Sequence, residues 1–425
     1  MKLLSKIYIT ALIFVPITPR INVADVVAAH WIGLSLVTIF GFFIILKSKI
    51  DFQFTKIKAP LLFFSGYLMV ALISIFFAIN YVESIITVTK IFLVFSNLYI
   101  IFYLLKSQDS HKLKHFTLIV ILIYFTVELL TIAIPLFFLT DVFNHQFENS
   151  LTFMKGLAGN KNVAAVSIAT KLPFVLYFAL TSNKIIFRSI SFILFFLGTL
   201  MIVYSGTRTA YLIIFVLFAY TLFELLKVIN SSFSFKKLIF RLLAPSMIIF
   251  SFMIYSNFSG EEGRSSIQNR VEFLNPNKID NSGKQRLRFY KQALEYSSEN
   301  IFMGAGTGNW KIISTYLDRE NIVSYIMPYN LHNDFLEVLG ETGIFGFIFY
   351  SGFFLSLFYL IYLMYNNKRF EDKKFAITLA ICLLSYTIDA MLNFPQFRVI
   401  NQLNLIIIYF FVVCSYYSLN TYKYE

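Results

Sequence analysis

Long apolar runs recur from one end of the sequence to the other, and they constrain the fold more than any other feature. Apart from the first run, which is short, each is close to the roughly 20 residues that a helix needs to cross a bilayer. Hydrophobic residues make up 58% of the 425-residue chain, and the mean hydropathy is +0.70. A soluble domain is only about 45–50% apolar, so much of this surface must face lipid. The sequence therefore predicts an all-α polytopic membrane protein.

The apolar runs also define the order of the predicted spans. We place about twelve of them and expect three parts: spans one to nine over 1–256, a large loop over 257–343, and spans ten to twelve over 344–425. No small-x-small cleavage site follows the first run, so we interpret it as a retained helix rather than a signal peptide. The predicted spans lie near 7–17, 25–46, 59–79, 84–105, 115–139, 162–180, 186–204, 209–229, 238–256, 344–365, 375–392 and 399–419.

Lysine and arginine are concentrated in alternate connections between these spans. The connections over 47–58 and 366–374 carry four each, whereas the short connections on the other side carry almost none. This is the positive-inside pattern, and it predicts that both termini are cytoplasmic. It also explains most of the net charge of +13 without a nucleic-acid partner.

The same topology places the long loop over 257–343 on the outer side. It holds nine Lys/Arg and eleven Asp/Glu, so it is nearly neutral and is not a nucleic-acid surface. Its run GKQRLRFYKQALEYSSEN has apolar residues at helical spacing, which are Leu287, Tyr290, Ala293 and Leu294. We therefore expect a small, partly helical domain on the outer face.

Three arginines on the predicted outer side are candidate anion ligands. Arg208 lies in the polar turn YSGTRTAYL between two spans, where the positive-inside bias disfavours arginine. Arg286 and Arg288 are two residues apart in the loop helix, so they point to different faces. Guanidinium groups bind phosphate bidentately, and Arg208 with one loop arginine could clamp a diphosphate. The alternatives are a snorkelling interfacial arginine at 208 and solvated helix faces for the other two.

The segment NLHNDFLEVLGETGIFG at 330–346 places polar residues and glycines immediately before a strongly apolar run. His332 is the side chain there whose ordinary pKa suits proton transfer near neutrality. It could equally make a structural hydrogen bond at a helix start, where Asn333 or Asp334 could be the cap. We expect Gly343 and Gly346 to admit a turn into the tenth span, and Glu341 could orient His332 or only anchor that turn. The residues alone leave these alternatives open.

Asparagines open the predicted sixth span in GLAGNKNVAA at 156–165. Asn160 and Asn162 are typical of an ordinary helix cap. Free amide donors at a helix N-terminus also suit an anionic group, so both residues are candidate supporting residues of an outer site.

Ionisable residues also occur inside or beside the apolar runs. Such charges usually pair with one another or face a cavity. Lys90 and Lys171 are candidates for lining an outer cavity, and a structural pair between Glu128 and a lysine is the alternative. Asp389 and Arg398 flank the outer turn DAMLNFPQFR and could line the same opening.

Five short motifs occur in a fixed order around the large loop. They are GNKN at 159–162, SGTRTA at 205–210, RLRFYKQAL from Arg286, GAGTGNW at 304–310, and LHNDFLEVLGETGIFG at 331–346. In this order and topology, over about 150–400, the chain resembles the O-antigen ligase-related family of polytopic glycosyltransferases. That family includes O-antigen ligases and some polysaccharide polymerases.

The resemblance implies a donor glycan carried on undecaprenyl diphosphate and bound at the outer leaflet. It implies inverting transfer with neither a metal nor another cofactor, in the bacterial inner (cytoplasmic) membrane with a periplasmic active site. Family arginines matching Arg208 and Arg286 are expected to hold the diphosphate, and the histidine matching His332 is expected near the acceptor hydroxyl. The family often has Trp where Tyr290 stands, and Arg288 is a second candidate for the loop arginine.

Three functions remain as alternatives at this point. A ligase, which we favour, would pass the glycan to the lipid A core in lipopolysaccharide biosynthesis. A polymerase would pass it to another lipid-linked repeat. A transporter or flippase of lipid-linked sugar would instead need a mid-membrane site between repeats and no outer His-Arg constellation.

Overall fold

A computed structural model describes the chain over 2–18, 26–47, 59–105, 110–139, 154–229, 235–258, 281–322 and 329–421. All of the candidate site residues fall in these ranges. The parts of the predicted loop over 259–280 and 323–328 lie outside the described residues.

The described residues form fourteen α-helices and no strand, which confirms the all-α prediction. The sequence favours helices because a membrane leaves backbone N–H and C=O groups no water to bond, and a helix satisfies them internally. The helices are α1 Lys2–Phe14, α2 Val26–Lys47, α3 Ala59–Ser74, α4 Tyr81–Leu105, α5 Ser110–Leu139, α6 Lys161–Thr181, α7 Ile185–Ser205, α8 Arg208–Ile229, α9 Phe235–Phe258, α10 Asn281–Glu299, α11 Trp310–Leu317, α12 Asp334–Asn366, α13 Lys373–Leu392 and α14 Val399–Thr421.

Eleven of these helices are long and apolar enough to cross a membrane. They correspond to the second to twelfth predicted spans. The first predicted span is α1, which has 13 residues and is therefore only about 20 Å long. Because the hydrocarbon core is about 30 Å thick, α1 is too short to cross it alone.

Helices α6 and α14 form the centre of the bundle. In the most apolar windows of these two helices, 89% and 94% of the residues are buried. The equivalent window of α8 is only 28% buried, and α8 exposes Phe215 and Phe223. Exposed apolar side chains on peripheral helices such as α8 are consistent with contact to lipid, whereas the central helices contact other parts of the protein.

Helices α10 and α11 build a small domain against the start of α12. Its own core is a cluster of Phe289, Ala293, Trp310 and Leu331. The apolar stripe predicted for α10 was partly wrong, because Leu287 is 54% exposed and Leu294 is 52% exposed. The buried side of α10 is instead the one that meets Trp310 of α11 and Leu331 before α12.

Helix α12 is interrupted at Gly343, as the glycines of this segment predicted. Gly343 has φ 66° and ψ −165°, a region that is essentially restricted to glycine. The break frees backbone carbonyls, and the neighbouring segment uses them: Ala305 N donates to Gly340 O at 2.9 Å, and Gly306 N donates to Glu341 O at 2.9 Å. The glycine-rich 301–306 segment is thereby fixed to the first part of α12.

Candidate functional site

A polar cavity of about 90 Å³ lies where α10, the start of α6 and the segment before α12 meet the α13–α14 turn. It is small, so it fits a headgroup-sized part of a substrate and not a whole glycolipid. Six of the predicted site residues line it. The lining residues are Asn160, Asn162, Val163, Arg286, His332, Asp389, Asn393, Phe394, Pro395, Arg398 and Asn401.

His332 is held at this cavity by its backbone as well as by its ring. Its φ of +60° is the only positive value at a non-glycine residue in the described part of the chain. The Tyr290 hydroxyl donates to His332 O at 3.0 Å, and the imidazole stands edge-on to Phe394 at 5.0 Å between centroids. Asn333 caps α12, and its side chain accepts from Leu336 N at 3.1 Å. A strained residue fixed by its neighbours is typical of functional sites.

The imidazole of His332 is neutral in the free protein. Its Nδ1 is buried and has no hydrogen-bond partner among the described residues. Burial, and then the nearby Arg286 guanidinium, lowers the pKa of His332 from 6.5 to about 4. A neutral imidazole can accept a proton, and a bound anion that offset Arg286 would strengthen it as a base.

The two loop arginines have different surroundings. Arg286 lines the cavity, and its Nη1 donates to Leu392 O at 2.8 Å. Arg288 points away and forks onto Asp318, with Nε–Oδ1 at 2.7 Å and Nη2–Oδ2 at 2.9 Å. Asp318 is almost fully buried, so this pair fixes α10 to the end of α11. Arg286, and not Arg288, is therefore positioned to meet a ligand in the cavity.

Arg208 stands beside the cavity but does not line it. Its side chain is exposed at the start of α8. Its two neighbours are tied to cavity residues: Thr207 Oγ1 donates to Asn162 Oδ1 at 3.0 Å, and Asn393 Nδ2 donates to Thr209 Oγ1 at 3.1 Å. The backbone at 207–209 is thus fixed at the cavity, with Arg208 at its edge.

The N-terminus of α6 forms one wall of the cavity. Asn160 is the cap, and its Oδ1 accepts from Asn162 N at 2.9 Å and from Val163 N at 3.4 Å. The helix-cap interpretation is therefore correct for Asn160, and both asparagines also line the cavity. A helix N-terminus favours negative charge nearby.

The opposite wall is the α13–α14 turn. Of its residues, only Asp389 and Arg398 at the two ends were predicted as site residues from the sequence. Asp389 is buried and accepts from Asn393 Nδ2 at 2.7 Å and Asn401 Nδ2 at 2.6 Å. Arg398 follows the turn, and its guanidinium lies 5.3 Å from the Phe394 ring centroid. Asn393, Phe394 and Asn401 were not predicted from the sequence. The Asn-x-Pro turn pattern was the available signal, but it does not say what the turn faces.

The two predicted cavity lysines lie elsewhere. Lys171 is buried inside the bundle, where its Nζ is 3.1 Å from Glu128 Oε2 and donates to Ser167 and Asn404 side chains. This is the structural pair that was the alternative interpretation. Lys90 borders a separate small cavity beside Tyr67 and Tyr350.

Glu341 anchors the glycine-rich segment and does not line the cavity. Its Oε1 accepts from Trp310 N at 2.9 Å, at the start of α11. A buried carboxylate at a helix N-terminus satisfies amide groups that the helix leaves unpaired. This contact corresponds to the turn-anchoring interpretation of Glu341.

The cavity therefore combines cationic donors with one neutral imidazole. Arg286 and Arg398 supply fixed positive charge, and Asp389 is occupied by two amides, so the cavity as a whole favours an anionic group beside His332. Among the described residues, no group of three or more His, Cys, Asp or Glu side chains could hold a metal ion.

These features define a polytopic helical membrane protein with a cationic polar cavity at one end of its spans. Residues 193–351 match the family model described as O-antigen ligase. The match contains Arg208, Arg286 and His332 and confirms the resemblance to the O-antigen ligase-related family. It supports a membrane enzyme of the O-antigen ligase or polymerase type. No curated protein matches the chain.

Proposed function

We propose that this protein is a glycosyltransferase that moves a glycan from undecaprenyl diphosphate to an acceptor sugar at the periplasmic face of the inner membrane. The observation that carries the proposal is the meeting of His332 and Arg286 at one cavity, both inside the family match. The small domain of α10 and α11 and the α13–α14 turn bring these two side chains together.

The donor diphosphate binds against Arg286 and Arg398, with the N-terminus of α6 nearby and Arg208 reaching in from the edge. A diphosphate is a good leaving group, and its negative charge rises as the bond to the sugar breaks. Fixed guanidinium groups stabilise that charge more in the transition state than in the ground state. The lipid tail stays in the membrane, and only the headgroup enters the cavity.

The acceptor hydroxyl attacks the anomeric carbon from the side opposite the diphosphate. A new glycosidic C–O bond forms, the C–O bond to the diphosphate breaks, and undecaprenyl diphosphate leaves with the bonding electron pair. The hydroxyl proton passes to the neutral imidazole of His332. The anomeric configuration is inverted in this single displacement, and the residues of the chain suffice without a metal.

Complementation of a deletion strain tests the proposal. His332→Ala and Arg208→Ala should each abolish surface glycan while the protein still inserts in the membrane. Arg319→Ala is the control, because Arg319 is an exposed arginine of the same loop and should complement fully. Normal surface polysaccharide from both site variants would contradict the assignment.

The acceptor separates the two enzymes of this type, and we favour a ligase that acts on the lipid A core. Long unattached lipid-linked chains should then accumulate when the gene is deleted. Accumulation of single lipid-linked repeats would identify a polymerase instead. If the gene encoded a flippase, its deletion would leave the donor in the cytoplasmic leaflet, and this outcome would reject both the ligase and the polymerase.

A further inference from the structure

A second charged cavity, of about 480 Å³, lies at the other end of the same helices. Helix α6 starts at the candidate site with Asn160 and reaches this cavity near its end with Leu180. Helix α8 runs from Arg208 to Lys227, and α13 runs from Lys374 back to Asp389. A helix of about 20 residues spans about 30 Å, so the two cavities lie at opposite ends of the membrane-spanning bundle.

Five cationic side chains converge on this cavity against one carboxylate. The carboxylate is Glu224, whose side chain is 5% exposed. Three of the cations contact it, with Arg241 at 3.3 Å, Lys227 at 3.7 Å and Lys374 at 3.9 Å. The other two are Arg188 and Lys373. Five cations against one carboxylate leave the cavity with a net positive charge, which favours an anion.

Some of these cations still have donors to offer. Arg241 Nη1 and Arg188 Nε are buried and have no hydrogen-bond partner among the described residues. Lys373 is already used, since its Nζ donates to Asn367 O at 2.6 Å at the end of α12. A buried guanidinium N–H without an acceptor is costly, and an acceptor oxygen from a ligand would remove that cost.

The lining of the cavity also includes apolar side chains. The apolar lining residues are Leu180, Val228, Phe240 and Ile377. The Arg188 guanidinium lies over the Phe240 ring, 4.6 Å from its centroid. The positive-inside pattern explains exposed basic residues such as Lys368 and Arg369 in the same connection. It does not explain why the Arg241 guanidinium turns inward to Glu224, or why Arg241 and Arg188 each bury one N–H group that has no hydrogen-bond partner among the described residues.

We propose that this cavity binds an anionic phospholipid from the surrounding bilayer. The phosphate meets Arg241, Arg188 and Lys374, and the start of an acyl chain lies along Phe240 and Ile377. Basic cavities between membrane helices are typical sites for anionic headgroups. The apolar walls favour a lipid over a free anion, because inorganic phosphate would gain nothing from them. The site is independent of the glycan transfer proposed above.

Purified, delipidated full-length protein provides the test. Its thermal unfolding is followed while short-chain phosphatidylglycerol, short-chain phosphatidylcholine or inorganic phosphate is added. Phosphatidylglycerol should raise the unfolding temperature in a saturable manner, and the other two should not. Lys374→Gln and Arg241→Gln should each weaken phosphatidylglycerol binding about fivefold, or about 1 kcal/mol. Lys374 is 43% exposed, so its variant should fold even if loss of Arg241 disturbs Glu224.

Lys368→Gln is the matched control, because it removes the same charge from an exposed position of the same connection. It should bind phosphatidylglycerol like the unmodified protein. Equal stabilisation by phosphatidylcholine would overturn the headgroup assignment. Equal stabilisation by inorganic phosphate would show a free-anion site. Equal weakening in Lys368→Gln and Lys374→Gln would show only diffuse surface charge, and would overturn the proposal.

Discussion

Arg286 and Arg288 offer a matched pair of substitutions, because they lie two residues apart on one helix and have different surroundings. Arg286→Gln removes a guanidinium from the cavity, where Arg286 Nη1 donates to Leu392 O at 2.8 Å. Loss of one preorganised charge-stabilising donor costs about 10²–10³-fold in turnover, or about 2.7–4 kcal/mol. We expect turnover per folded molecule to fall by that factor, with a smaller effect on the free energy of unfolding.

Arg288→Gln should show the reverse pattern. It leaves the buried Asp318 without its fork, but Gln292 and Asn321 still donate to that carboxylate at 3.2 Å. Because Arg288 is itself 37% exposed, we expect a loss of about 1–2 kcal/mol of stability and near-normal turnover per folded molecule. The assay is single-turnover transfer by reconstituted protein, beside an unfolding midpoint. A loss of turnover in folded Arg288→Gln equal to that in Arg286→Gln would refute the assignment.

Four further predictions concern pH, the break in α12 and the role of metal. The acid limb of the kcat/KM profile should lie near pH 4, because the pKa of His332 in the free protein is about 4. In Arg286→Gln the limb should move to higher pH, because one of the two causes of the lowered pKa is removed. An acid limb near pH 6.5 in the unmodified protein would contradict this prediction. As the pH falls, His332 is protonated in the unfolded chain before it is protonated in the folded protein. The free energy of unfolding should therefore decrease as the pH falls from 6.5 towards 4. The decrease should be smaller in His332→Gln, which lacks this titrating group. Gly343→Ala should cost about 3 kcal/mol or more, since its Cβ would lie 2.5 Å from Phe302 C; thermal unfolding should show a smaller loss for Gly340→Ala, whose nearest contact is 3.0 Å. Transfer should persist in chelator, and strict dependence on added divalent metal would contradict the mechanism.

The membrane helices were predictable because each is decided locally. A run of apolar residues near 20 long has one favourable structure in lipid, and ten of the predicted spans agree with the described helices within about five residues. The tenth predicted span, 344–365, covers only the part of α12 that follows the break at Gly343. The short first helix is the exception, because an apolar pattern of that length does not distinguish a span from a buried segment. Gly343 was predictable for a related reason, since glycine is the residue that tolerates a sharp break.

The candidate site was predictable only in part, because it depends on which elements meet. His332, Arg286 and Asn160 could be selected by residue type and position. Nothing local indicates that the turn around Phe394 packs on His332. The pairing of Lys171 with Glu128 is likewise decided by the facing of α5 and α6, so an apolar run with one lysine fits a cavity and an ion pair equally well.

The contact partner of Arg288 likewise could not be predicted from the local sequence. Two arginines that are two residues apart on a helix point to different faces. Which of them meets a carboxylate depends on Asp318, which is 30 residues away from Arg288 in the chain. The family resemblance favoured Arg286 without this contact. The contact supplies a physical reason for that choice.

The most direct test of the central claim is transfer by the purified protein in proteoliposomes. Unmodified protein with an undecaprenyl-diphosphate-linked glycan and the lipid A core acceptor should give the glycosylated acceptor and one undecaprenyl diphosphate for each linkage formed. His332→Ala should bind the donor and give neither product. Full product formation by His332→Ala, or movement of intact donor across the membrane by the unmodified protein without transfer, would contradict the account.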